Sequence, residues 1–185
     1  MWAVFDLETT GRYAPARPPG IVEVAFAVFD DLLKDQPISQ IVTKVDPEMP
    51  AEDWEEGAIK VHGIRPEDVA SSPSFGEVAV DMAEMMVGCR HLVHYNGHAF
   101  DVPVLQHHLR AHGIDTSFPW PPRSVDVMML AQDRIPDIEG KRGVKRPTLE
   151  EAHRAICGAG ISDWHSAGAD IAATWNILRA IKKGG

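Results

Sequence analysis

Asp6 and Glu8 stand two positions apart in the stretch Asp-Leu-Glu-Thr-Thr-Gly. The run from Trp2 to Leu7 is apolar and β-compatible. On a strand, alternate side chains share a face, so the two carboxylates point the same way, about 6–7 Å apart along the chain. Two acids held side by side on a mostly buried strand repel each other, and a divalent cation relieves that repulsion. For an isolated Asp-x-Glu the ordinary account is a pair of solvated acids at a strand end. The pair gains meaning only if further acids join it.

Two other clusters supply candidates. The first is His94-Tyr95-Asn96-Gly97-His98-Ala99-Phe100-Asp101, which reads as a strand ending in Asn-Gly followed by a helix. Asp101 falls in the first helical turn, where a carboxylate complements the helix dipole. That alone would explain it; the alternative brings it to the first pair as a third acid. The second is His165-Ser166-Ala167-Gly168-Ala169-Asp170. Five residues on an α-helix turn through about 500°, so His165 and Asp170 do not share a face. The pattern predicts His165 on the preceding loop, Ser166 as N-cap and Asp170 one turn into the helix. A capped surface helix with an incidental histidine is the plain alternative.

The elements that must position these groups follow from the apolar patterning. Strands are expected over Trp2–Leu7, Ile21–Phe29 and Ile38–Val45, joined as an antiparallel meander. The loop from Arg12 to Gly20 holds Pro15, Pro18 and Pro19 and cannot be regular structure. Helices are expected over Ala51–Val61, Phe75–Val87 (started by Ser72-Pro73-Ser74), Ala99–His112, Leu149–Ile156 and Ala167–Ile181, with short strands at His91–Tyr95 and Ser124–Met128. A meander followed by alternating helices and strands implies an α/β fold with a mixed sheet covered by helices, in one domain over residues 1–185.

Composition sets the outer bounds. The chain has 185 residues, 44% hydrophobic and 24% charged, as an ordinary globular domain has. No run approaches the ~20 apolar residues of a membrane span. With no basic-then-apolar start and with only Cys89 and Cys157, neither a signal peptide nor a disulfide framework is expected, and a cytoplasmic location is the expectation. The net charge of −9 argues against a protein that coats duplex DNA by bulk electrostatics. It leaves open an enzyme that holds nucleic acid through metal ions.

Each cluster alone is weak; their joint order and spacing are not. Asp-x-Glu-Thr-Thr-Gly, then His-x-Asn-x-x-x-Phe-Asp, then His-x-Ala-x-x-Asp resemble the three motifs of the DEDDh 3′–5′ exonuclease superfamily. In pattern the chain looks most like the proofreading epsilon subunit of bacterial DNA polymerase III. Val61-His62-Gly63-Ile64 and Ser124-Val125-Asp126 match further stretches of that family. A sister branch carries tyrosine four positions before the last Asp; Ser166 stands there, and the only tyrosines are Tyr13 and Tyr95.

The resemblance implies a ribonuclease-H-like fold and two divalent cations, Mg²⁺ or Mn²⁺. Asp6, Glu8, Asp101 and Asp170 match the metal-holding acids, and His165 matches the general base. Independent chemistry agrees. All-oxygen ligands suit Mg²⁺ or Mn²⁺ rather than Zn²⁺, and an imidazole with pKa near 6.5 can take a proton from water at neutral pH. By the same match, Leu7, Thr9 and Thr10 would receive the terminal 3′-hydroxyl and sugar. Val61 and His62 would flank that nucleotide, with Asn96 and Phe100 lining the cleft. The expected reaction is hydrolysis at the 3′ end of single-stranded DNA or a frayed primer, releasing nucleoside 5′-monophosphates, in a proofreading setting with a DNA polymerase as candidate partner. An RNA-trimming enzyme and a nonenzymatic nucleic-acid-binding module are the alternatives. The pair His108/His112 has a plain account as packing, with no nearby acid or cysteine to complete a metal site. The basic run Lys141, Arg142, Lys145, Arg146 reads equally as a solvated loop or as a contact to the phosphates of an entering strand, and Trp120 among prolines reads as loop packing before base stacking.

Overall fold

The computed structural model describes residues 1–114, 121, 123–140, 143–161 and 166–184. Five strands form a mixed sheet in the order β3-β2-β1-β4-β5: β1 (Trp2–Thr9), β2 (Ile21–Phe29), β3 (Ser39–Lys44), β4 (His91–His94) and β5 (Arg123–Asp126). β1 pairs antiparallel with β2, and β2 with β3, which is the expected meander. β1 and β4, and β4 and β5, run parallel. The helices are α1 (Glu56–His62), α2 (Pro66–Val69), α3 (Phe75–Met86), α4 (Asp101–Ala111), α5 (Val127–Gln132), α6 (Leu149–Cys157) and α7 (Ala167–Lys183). A small hairpin, β6 (Ile138–Gly140) with β7 (Gly143–Lys145), lies outside the sheet.

Strand periodicity explains the layering. Alternate residues of β1 and β2 go to opposite faces. Phe5, Leu7, Phe26 and Val28 pack with Met82 and Met86 of α3 and with Leu105 and Leu109 of α4. Val4, Ala25 and Ala27 pack with Ile171, Trp175 and Leu178 of α7. β2 is buried on both faces and reads as a continuous apolar run, whereas β3, at the sheet edge, alternates half-buried and exposed. A smaller cluster of Val22, Trp54, Ile64 and Val69 seats α1 and α2.

Three boundaries differ from expectation for identifiable reasons. Trp54 is drawn into that smaller cluster in an extended conformation, so the stretch from Ala51 is a 3₁₀ turn followed by α1. Phe100, at φ −135° and ψ −75°, breaks the stretch before Asp101, and α4 starts there. Asp126 ends β5 because its carboxylate accepts the Met128 N–H and caps α5 two residues earlier than the apolar run implies.

Candidate functional site

Asp6 and Glu8 share the face of β1 that carries Val4, and so look toward α7. α7 is anchored by Trp175, which is 1% exposed. Its ring stacks on Phe29 at 4.0 Å and its Nε1–H donates to the Lys34 carbonyl at 2.9 Å. Truncating a buried tryptophan costs about 3–5 kcal/mol, so the helix is held firmly enough to fix a side chain on its first turns. Ser166 caps it as expected, its hydroxyl accepting the Ala169 N–H at 3.3 Å. Asp170 then meets the strand pair: one carboxylate oxygen from each of Asp6, Glu8 and Asp170 lies within 4.8 Å of the others.

Asp101 is presented by a braced turn. Asn96 adopts the left-handed conformation, φ 56°, and its N–H donates to Asp126 Oδ1 at 2.9 Å, the oxygen that also accepts from Met128. Buried His94 accepts the Gly97 N–H on Nδ1 at 3.0 Å. Its ring proton must therefore sit on Nε2, which donates to Ser124 Oγ at 2.8 Å. Burial pushes the His94 pKa down to about 4, so the ring stays neutral in this role. Gly97 is closely surrounded: a Cβ there would lie 3.0 Å from the His94 ring and 3.1 Å from Asp101 Oδ2, so one of them would have to yield by a few tenths of an ångström.

The electrostatics follow from crowding. Burial first, then the charges of Asp101, Glu8 and Asp170, raise Asp6 well above the usual carboxylate range. Burial, then Asp170, lifts Glu8 to about 8. Burial lifts Asp101 to about 7 and, with Glu23, Asp170 to about 6. A bound cation would compensate the mutual repulsion of such a set. Among the described residues, Asp170 Oδ1 is buried without a hydrogen-bond partner, which suits an oxygen that ligates a cation. The all-oxygen donor set fits a hard divalent cation.

A cleft of about 280 Å³ meets this acid set through Glu8, the one of the four acids that lines it, together with Leu7, Thr9, Val61, His62 and Phe100 and with Gly11, Arg12, Glu55, Gly57 and Ala58. His62 accepts the Ile64 N–H on Nδ1 at 3.0 Å and so donates from Nε2 to the Thr9 carbonyl at 3.2 Å. Two of the residues expected to meet a nucleotide do not line this cleft. Thr10 is buried, its hydroxyl accepting the Gly20 N–H at 3.0 Å, and so braces the Pro-rich loop. Asn96 is exposed on the turn before Asp101. A larger cleft of about 420 Å³ lies between β2 and α7, but none of the acid trio lines it.

Several expected features are plainly placed. His108 and His112 pack edge-on against Phe75, and His108 Nε2 meets the Pro19 carbonyl at 2.8 Å, as core-flanking histidines do. Lys145 pairs with Glu151 at 2.7 Å. His165, Trp120, Lys141 and Arg142 lie outside the described residues. Three residues escaped the sequence reading as parts of the site: Glu23, which faces the trio from β2; Asp126, as the brace of the Asp101 turn; and Glu55, whose Oε1 accepts the Arg12 N–H at 3.1 Å. Gly11 permits that last contact, since a Cβ would fall 2.7 Å from the same oxygen.

The model of the exonuclease family RNase_T matches residues 3–178. The chain belongs to this family. The DEDDh 3′–5′ exonuclease resemblance carried by the three motifs is thereby borne out, and so is the ribonuclease-H-like fold. Solved structures similar to this RNase_T exonuclease include E. coli exonuclease I in complex with a dT13 oligonucleotide, with TM-score 0.79, 21% identity, 98% of this chain and 40% of that chain covered. Apo exonuclease I gives TM-score 0.78 at 21% identity, covering 98% and 42%. A product-bound exonuclease I gives 0.76 at 22%, covering 98% and 43%. The chain thus spans about two fifths of the exonuclease I chains it matches. A comparison with curated proteins gave no match. Among the described residues, no helix is long and apolar enough to cross a membrane.

Proposed function

We propose that this RNase_T exonuclease hydrolyses the 3′ ends of single-stranded or frayed DNA, releasing nucleoside 5′-monophosphates with the aid of divalent cations. The observation that carries the proposal is the convergence of Asp6, Glu8 and Asp170 within 4.8 Å. It is joined by Asp101, whose charge acts on Asp6, and one member of the trio, Glu8, lines the neighbouring cleft. These four acids would hold Mg²⁺ or Mn²⁺. When bound, a pair of such cations lowers the pKa of an attacking water and neutralises charge on the leaving oxygen of an in-line displacement.

The chain's own groups supply the rest. His165, by its motif position, takes the proton from the attacking water. Leu7, Thr9, Val61, His62 and Phe100 line the cleft beside Glu8 and would enclose the terminal sugar and base. His62 steadies the backbone of Thr9, against which the 3′-hydroxyl would rest. The choice of DNA is supported by the oligonucleotides bound to exonuclease I, dT13 and dA16. Proofreading beside a polymerase is the setting that the motif resemblance adds.

The test is digestion of matched 5′-labelled DNA and RNA oligonucleotides in Mg²⁺, Mn²⁺ or EDTA. Stepwise shortening of DNA from the 3′ end, blocked by EDTA and by a 3′-phosphate, is expected. Faster shortening of RNA would reassign the enzyme to RNA ends. Binding without hydrolysis in either metal would leave a nonenzymatic module.

A further inference from the structure

Glu23 is an unexpected residue to find inside a buried β-strand. In the β1–β2 register it stands directly opposite Glu8, and like charges directly opposed on an antiparallel pair are destabilising. Its charge also acts on Asp6 and Asp170. It is not a member of the close trio. A neutral residue would pack there at lower cost, so the carboxylate needs another reason.

Its contact to α7 supplies one. Glu23 Oε2 accepts the N–H of Ala167, the first residue of α7, at 2.9 Å. The first amides of a helix have no partner within it, and a carboxylate there also meets the positive end of the helix dipole. The Ser166 hydroxyl takes the Ala169 N–H. Between these two contacts, Gly168 lies close to β3: a Cβ on it would sit 3.2 Å from Val42 Cγ1. The first turn of α7 is therefore tied to β2 and lies close against β3. Trp175 anchors the helix two turns further on and buried Ala167 and Ile171 pack its first turns into the core, so the Glu23 tether adjusts the placement of the end bearing Asp170 rather than holding it alone. Asp170 is three residues beyond Ala167 and shares its end of the helix.

We propose that Glu23 is a positioning residue for the cation site: by tethering the first turn of α7 to β2 it sets the distance of Asp170 from Asp6 and Glu8. This rests on the metal-binding reading of that trio. The hydrogen bond, not the charge, carries the effect, because the charge alone adds repulsion in the absence of a cation.

Two variants separate reach from charge. Glu23→Gln keeps the length and the carbonyl acceptor; Glu23→Asp keeps the charge but is one methylene short of Ala167. Mn²⁺ affinity is measured by direct titration of each variant and the wild type, with melting in EDTA and in Mn²⁺ alongside. The expected result is about tenfold weaker Mn²⁺ binding for Glu23→Asp, the scale of one lost charge-assisted hydrogen bond, and binding within about threefold of wild type for Glu23→Gln. A merely structural residue would lower the melting temperature equally in EDTA and Mn²⁺ and leave affinity unchanged. Wild-type affinity in Glu23→Asp, or equal losses in both variants, would overturn the positioning role while leaving the exonuclease reading intact. A wild type that binds no Mn²⁺ would remove both together.

Discussion

Replacing Asp170 with asparagine is expected to stabilise the metal-free protein at pH 8 and to leave it the weaker of the two once Mn²⁺ is present. Asp170 is lifted from an ordinary 3.8 to about 6 by burial and by Glu23. A carboxyl raised in the folded state contributes its full stability below the unfolded pKa and loses it as pH rises through the folded one. At pH 8 the wild type therefore carries a penalty of roughly 3 kcal/mol from a shift of about two pH units. Because the side chain is only half-buried, solvent screening reduces this to about 1.5 kcal/mol. The amide of Asp170→Asn has nearly the same shape and no charge, so most of that penalty disappears. For a domain of this size 1 kcal/mol moves the midpoint by about 2–4 °C, which predicts a Tm about 3–6 °C above wild type in EDTA at pH 8. Near pH 3.5, below the unfolded pKa, the difference should close. Mn²⁺ at 100 times its Kd stabilises the wild type by about 2.7 kcal/mol, and the variant, short of one ligand, gains far less. The assay is thermal unfolding of both proteins at the two pH values, with and without Mn²⁺. A variant less stable than wild type in EDTA at pH 8, or a gap that ignores pH, would refute the reasoning.

Other expected outcomes follow from the same geometry. His165→Ala should lower kcat by about 10²–10⁴-fold while oligonucleotide binding in Ca²⁺ changes little; a loss confined to binding would remove His165 as the proton acceptor. Gly97→Ala should cost much of the activity and lower Tm by a few degrees, because its Cβ presses on the buried His94 ring and on Asp101 Oδ2; wild-type activity and Tm would show that the turn has slack. With a net charge of −9, the salt dependence of single-strand binding should be shallow, about 0.7 in log K per phosphate neutralised over few phosphates. A slope on the order of 10 would contradict a site that grips mainly through its cations.

The legible parts of this molecule are those whose physics is local. β2 was readable to both ends because a doubly buried strand leaves an uninterrupted apolar run. Ser166 was readable as a cap because an N-cap needs only its own helix. The acids were readable because two positions on a strand, and one turn on a helix, fix a face. What stayed hidden depends on partners distant in sequence. Glu23 looks like the single polar tooth of a strand until the β1–β2 register sets it against Glu8. Thr10 looks like a substrate contact until Gly20 returns to its hydroxyl. The hairpin β6–β7 has three-residue strands, and β7 is fully exposed, so no alternation marks it.

The trio joins residues far apart in the sequence, Asp6 on β1 and Asp170 on α7. Closing so large a loop is entropically slow. During synthesis the meander and the α3–α4 layer can form while α7 is still to be made, and at that stage β1 offers only two of the three acids. On the proposed cation site, catalytic competence arrives as a late event in the folding of this domain. A growing chain would, on that reading, hold no working nuclease until α7 has docked.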